Sequence, residues 1–144
     1  MIVIDANLLL YAHRRSSLFY PKARRWFEET LSSTEDVGIP LQCAMAFLRI
    51  TTNKAVPLGR LDMANALRIV DNWLAQDYVS LLYAGEAHWP LFRRMLLAGH
   101  AVGPLGTDAH LAALTMEHGG TLYTTDADFA RFPGLRWKNP LVKS

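Results

Sequence analysis

Four apolar residues, Met1 to Ile4, run without interruption into Asp5. The same form returns late in the chain, where Thr121–Thr125 leads into Asp126. Short unbroken apolar runs predict strands buried on both faces, as in a parallel sheet. Val37–Pro40 and Tyr78–Tyr83 read as two further strands, and Leu135–Lys138 as a last edge strand. The stretches between them carry helical spacing. Leu8–His13 predicts a short helix. Leu18–Leu31 predicts an amphipathic one, with Ala23, Trp26, Phe27 and Leu31 on its apolar face and its regular part beginning at Pro21. Leu41–Thr52 is apolar nearly all round, which predicts a buried helix. Met63–Gln76, capped by Asp62, places Ala66, Leu67, Val70, Trp73 and Leu74 on one face. Glu86–Ala98 holds Pro90 in its first turn and stops at Gly99. Asp108–His118 stops at Gly119-Gly120. Residues 53–62 and 101–106 read as loops, and Asp126–Phe132 as one short helix at most. Strands alternating with helices imply right-handed crossovers and a parallel sheet of four to five strands covered on both sides, an α/β fold. With no repeat and no linker, residues 1–144 read as a single domain.

In open α/β sheets, ligands bind beyond the carboxyl ends of the strands. Asp5 stands at such an end, and so does Asp126, with Asp128 two residues on. Asp108 is read as opening a helix whose Leu111, Ala112 and Thr115 share its face; small alanines let that helix lie close to the sheet. Taken singly, each acid also reads as a turn former or helix cap. Taken together, carboxylates converging on one sheet edge repel each other unless a cation neutralises them. Hard oxygen donors select Mg²⁺ or Mn²⁺. Such ions activate water and stabilise charge on a phosphoryl oxygen, which suits phosphodiester hydrolysis. Asn7, Thr107 and Thr125 are the neutral neighbours expected to hydrogen-bond the acids or the substrate.

Composition changes this picture modestly. The net charge is only +2, but with Asp5, Asp108, Asp126 and Asp128 set aside, fifteen basic residues face nine acids, which favours a polyanionic partner. Arg14, Arg15, Lys22, Arg24 and Arg25 cluster beyond the first strand, with Arg49 and Lys54 as additions. They suit phosphate contacts or a solvated helix face. The one cysteine, Cys43, excludes a disulfide framework or a zinc cluster within the chain and reads as a small buried residue. The five histidines are scattered. His110, two residues after Asp108, is expected to face away from it. Trp26, Trp73, Trp89 and Trp137 suit core or interface better than base stacking. No signal peptide is expected, since the opening apolar run lacks a basic region and is broken by Asp5. No stretch reaches the length of a membrane span, and the cytoplasm is the expected compartment.

Four motifs then occur in order. They are Ile2-Val3-Ile4-Asp5-Ala6-Asn7, Phe47-Leu48-Arg49, Thr107-Asp108-Ala109-His110-Leu111-Ala112-Ala113-Leu114 and Thr125-Asp126-Ala127-Asp128-Phe129. Their order and spacing resemble the PIN domain, and in particular the VapC-type toxins of bacterial toxin–antitoxin pairs, as does the closing Phe129–Trp137 stretch. The resemblance covers essentially the whole chain. It implies an α/β/α sandwich, Mg²⁺- or Mn²⁺-dependent endoribonuclease activity, a homodimer, and inhibition by a cognate VapB-like antitoxin. It makes Asp5, Asp108 and Asp126 the catalytic, metal-site acids and Asp128 an auxiliary metal-site acid. Transfer RNA is the common substrate class it implies, with ribosomal and messenger RNA open.

The chain departs from the family pattern at Ala46, where many PIN domains carry a glutamate. A subgroup of these toxins also lacks that acid. Gln42, one turn earlier on the same face, offers a neutral oxygen instead. The departure admits a second reading, a catalytically weak PIN-like module that binds RNA or protein. A third, an aspartyl-phosphate phosphatase of the Asp-x-Asp-x-Thr kind, needs an acid at position 7 and a threonine at position 9, where the chain has Asn7 and Leu9.

Overall fold

The computed structural model describes residues 1–56 and 59–142. Five parallel strands form one sheet in the order β3-β2-β1-β4-β5. They are β1 (Ile2–Ile4), β2 (Val37–Pro40), β3 (Val79–Leu82), β4 (Thr121–Tyr123) and β5 (Trp137–Lys138). β1 and β2 are buried along their whole length, the burial that their unbroken apolar runs predict. Six helices connect the strands: α1 (Ala6–His13), α2 (Tyr20–Ser32), α3 (Leu41–Thr51), α4 (Met63–Leu74), α5 (His88–Ala98) and α6 (Leu105–Glu117). β1→β2→β3 steps outward to one side and β3→β4 returns across the sheet. With right-handed crossovers, this puts α1–α4 on one face and α5–α6 on the other. The expected loop over 53–62 includes positions 57 and 58, which lie outside the described residues.

Several expectations are revised in detail. The helix expected to open at Asp108 begins three residues earlier, at Leu105 behind Pro104, so Asp108 lies inside its first turn. Proline supplies a helical φ without needing an N–H partner, a start signal that the loop reading of 101–106 misses. α3 is not buried all round: Met45 is 58% exposed and Leu41 40%. On α4, Ala66, Val70 and Trp73 face the core, whereas Leu67 is 43% exposed. α5 does stop at Gly99, but that residue has an ordinary φ of −86° and the left-handed residue is His100. What Gly99 supplies is room: a Cβ there would lie 2.7 Å from the Phe132 ring.

The core joins both faces of the sheet. Leu8, Leu9 and Phe47 are sealed in the helical layer on one side, Leu111–Leu114 of α6 pack from the other, and Val3, Ile4 and Ile39 of the sheet are buried between the two. Inside the first layer sits His13. Its ring lies edge-on to Phe27 and Phe47 and 5.2 Å from that of Trp73. His13 Nδ1 donates to the Leu9 carbonyl at 2.7 Å, and Trp73 Nε1 donates to His13 Nε2 at 3.1 Å. Both nitrogens are therefore satisfied in one neutral tautomer. Burial holds the imidazole far below its ordinary value, at about 4.

Candidate active site

The sheet order makes the site. The chain leaves β1 toward β2 on one side and returns to β4 on the other, so the β1/β4 boundary is a switch point where a crevice opens at the carboxyl ends. Register pairs Ile4 with Tyr123. The next residues along, Asp5 and Thr124, consequently emerge side by side. The start of α3 and the first turn of α6 close the same rim. A cavity of ≈ 380 Å³ is lined there by Asp5, Ala6, Gln42, Cys43, Met45, Ala46, Arg49, Thr107, Asp108 and Leu111.

Asp5 is held from several directions. Its Oδ1 accepts from the Ala6 N–H at 2.7 Å and lies 3.9 Å from Cys43 Sγ. Its Oδ2 accepts from Thr124 Oγ1 at 2.8 Å and is 3.5 Å from Asn7 Nδ2. The Thr124 hydroxyl also accepts from Asn7 Nδ2 and from the Asp126 N–H, both at 3.1 Å. One donor and two acceptor sites are thereby all used, so Thr124 ties β1, α1 and the Asp126 turn into one unit. Burial raises Asp5 above the usual carboxylate range despite these bonds, and the charge on Asp126 adds to the rise. Cys43 is buried, as expected of a small core residue, and burial beside Asp5 pushes its thiol well up, which removes it as a nucleophile.

Asp108 has no such support. Burial, then the charges on Asp126, Asp5 and Asp128, push it up to about 6, with Arg131 opposing. Asp126 follows β4 at the same rim and spends Oδ1 on the Asp128 N–H at 2.9 Å, capping the 3₁₀ turn Ala127–Arg131. Of the two acids, it is thus Asp126 that caps, and Asp128 projects an exposed carboxylate. Among the described residues, no three Asp, Glu, His or Cys side chains are drawn close enough to form a ready-made metal cage. The donor set nonetheless fits a hard cation: it is all oxygen, it is mutually repelling, and beside Asp5 the buried Asn7 Oδ1 has no hydrogen-bond partner.

The sequence-predicted residues fall unevenly. Asp5, Thr107 and Asp108 line the crevice, Asp126 and Asp128 act on Asp108 through their charge, and Asn7 bonds to the Asp5–Thr124 pair. No hydrogen bond from Thr125 reaches the acids among the described residues; Thr124 makes that contact and is fully buried. Period-two alternation was the available signal, since residues 124 and 126 of an extended segment share a face. His110 has a role that the sequence does not name. Its ring is 4.4 Å from that of His88, and Nδ1 donates to Gln42 Oε1, so it braces a residue of the crevice wall. Ala46 stands half-buried in the crevice wall one turn from Gln42. Leu9, where a phosphatase would need its threonine, is sealed in the core.

Fold and site together define a parallel α/β domain with an acidic crevice at its switch point. The PIN domain pattern matches residues 2–135, and the chain belongs to the PIN domain family. It is similar to Ribonuclease VapC33 of Mycobacterium tuberculosis, 36% identical over 98% of this chain and 99% of that protein. It is similar also to Ribonuclease VapC37 of the same organism, 35% identical over 97% of each. Among solved structures, the fold resembles VapBC2 from Rickettsia felis bound to a promoter DNA fragment, with TM-score 0.69 and 16% identity over 96% of this chain and 98% of that one. It also resembles M. tuberculosis VapC20, described as a Sarcin-Ricin loop cleaving toxin, with TM-score 0.67 and 14% identity over 94% of this chain and 99% of that one.

Proposed function

We propose that the protein is an endoribonuclease toxin, that a divalent cation, Mg²⁺ or Mn²⁺, serves its phosphodiester hydrolysis, and that a VapB-like antitoxin neutralises it. The observation that carries this reading is the crevice at the switch point, where Asp5 and Asp108 line one wall and Asp126 and Asp128 bear on Asp108 through their charge. The relatives named as ribonucleases at 35–36% identity support the same reaction. Asp5, Asp108 and Asp126 would hold the ion, with Asp128 adding charge, and the ion would supply water activation and charge stabilisation at the phosphoryl group. The chain's own part is orientation. Thr124 and Asn7 fix the Asp5 carboxylate, and His110 steadies Gln42 in the wall. Arg49 lines the crevice and is exposed, a position from which a guanidinium can take a phosphate. Thr107 lies where it can hydrogen-bond RNA. The soluble setting proposed is the cytoplasm, and no helix among the described residues is long and apolar enough to cross a membrane. The assembly proposed is a homodimer, measurable by light scattering.

The binding-module reading rests on Ala46 alone and has no support from relatives named as ribonucleases. The test is RNA cleavage by purified protein with Mn²⁺. Asp5→Ala should lower it roughly 1,000-fold or more, because a bound ion contributes several kcal/mol of transition-state stabilisation. Cleavage that survives that substitution would eliminate the proposed site.

A further inference from the structure

A second cavity, a basic one, lies at the end of α1 opposite the acidic crevice. Ala6 and Leu10, four residues apart, share one face of α1, and Arg14 follows the helix end as its extended C-cap. Ala6 lines the crevice beside Asp5, whereas Leu10 and Arg14 line a second cavity of ≈ 490 Å³ at the other end of α1. Arg15, Ser16, Tyr20 and Arg24 complete its polar wall. Arg24 is fixed, with Nε 2.8 Å from Glu28 Oε1 and an NH1 donating to the Ala12 carbonyl at 3.3 Å. That second bond covers a carbonyl at the helix end that would otherwise repel an anion. Arg14 and Arg15 are exposed and make no ion pair among the described residues. Two free guanidinium groups and one paired with Glu28 thus line the cavity, and its described lining residues include no carboxylate. Nine residue steps from Asp5 to Arg14, at helical rise, set the two cavities about 13 Å apart, a few nucleotides of RNA.

We propose that the Arg14–Arg15–Arg24 cavity is a second RNA contact, gripping backbone phosphates a few nucleotides from the bond that is cut at the acidic crevice. Guanidinium groups match phosphate oxygens with paired hydrogen bonds, and Ser16 and Tyr20 bring hydroxyls to the same wall. RNA is favoured over an acidic protein segment because the cavity lies on the α1 face that leads from the acids. The inference rests on the ribonuclease reading.

The test measures binding in EDTA, by fluorescence anisotropy, of a dinucleotide, too short to bridge the ~13 Å between the cavities, and of a single-stranded RNA of about 16 nucleotides, the upper end of common single-strand site sizes. The Arg14→Ala/Arg15→Ala variant should bind the longer RNA about tenfold more weakly, and its log–log salt slope should fall by about 1.4, the value for two lost phosphate contacts. The short RNA should bind as before. Lys22→Ala/Arg25→Ala, which removes equal charge from exposed positions of α2 outside the cavity, should leave the length dependence intact. Equal loss on both RNA lengths, no loss on either, or the same loss in the α2 variant overturns the proposal. Weaker binding of poly-glutamate with RNA binding unchanged also overturns it, in favour of a protein contact. Cleavage by the unmodified protein with Mn²⁺ is measured alongside. If it fails, the ribonuclease reading fails; if it succeeds while the double variant binds both RNAs normally, only the second contact falls.

Discussion

The ionisable groups near the two ends of α1, His13 at one and the acids of the crevice at the other, are treated in opposite ways. At the C-terminal end, His13 has both nitrogens bonded and three aromatic rings around it. At the N-terminal end, the acids face each other. Asp5 is well bonded, but Asp108 has three like charges and one opposing arginine. Both groups are shifted toward their neutral forms, and burial is the largest cause in each. The difference lies in what would be needed to relieve them. His13 needs nothing, because its neutral form is fully satisfied. Asp108 lacks a positive partner of matching strength, and a cation would supply one. A shifted group with complete partners belongs to the fold, whereas one whose discomfort is electrostatic and open to solvent belongs to a site.

That contrast can be broken first at Asp5. Asp5→Ala should cost roughly 1,000-fold or more in RNA cleavage; circular dichroism would show the fold retained, since the lost carboxylate relieves repulsion while its capping bond to Ala6 is lost. At the other end, His13→Ala should cost about 3 kcal/mol of stability in urea unfolding, through a cavity among Phe27, Phe47 and Trp73 and an unpaired indole N–H. Cleavage per folded molecule should remain.

The two ends also predict opposite pH slopes. The folded value of His13, about 4, lies below its ordinary 6.5. Its contribution is therefore full above about pH 6.5 and is lost as pH falls toward 4, a change of about 3 kcal/mol. Asp108 is raised from 3.8 to about 6. In metal-free protein its contribution is present at low pH and is lost as pH rises through about 6. Asp108→Asn should abolish the second slope and leave the first, as read from melting temperatures across that range; no change in either slope would sink the electrostatic account. Mn²⁺ should raise the melting temperature more at about pH 7.5 than at about pH 5, where protons compete for Asp108.

The smallest expected effects concern the wall. Thr124→Val should reduce cleavage about 10–100-fold by freeing Asp5 and Asp126, as loss of groups that orient metal ligands does. Ala46→Glu adds a carboxylate to the crevice and should tighten Mn²⁺ binding by about tenfold; an unchanged titration midpoint would mean that position 46 does not face the ion.

Much of the architecture was legible because its signals are local. β1 and β2 announce themselves as unbroken apolar runs, and α2 by Pro21 and its apolar spacing. The rim position of Asp5 and Asp126 followed from their standing at strand ends. What stayed hidden depends on neighbours that no local pattern names. Leu67 has helical spacing but no partner element over it, and Met45 likewise. Thr124 and Thr125 look alike in the sequence because the side of an extended residue is set by register, here Ile4 against Tyr123. The His88–His110–Gln42 contact joins α3, α5 and α6, three segments whose meeting only the tertiary fold decides.

The central claim is that the crevice at the β1/β4 boundary cuts RNA with a cation held by its acids. The most direct measurement is end-labelled RNA cleavage by the unmodified protein and by Asp108→Asn, each after EDTA treatment and after Mn²⁺ is restored. The account predicts cleavage only by the unmodified protein and only with Mn²⁺. Cleavage by Asp108→Asn at the unmodified rate, or undiminished cleavage in EDTA, would contradict it.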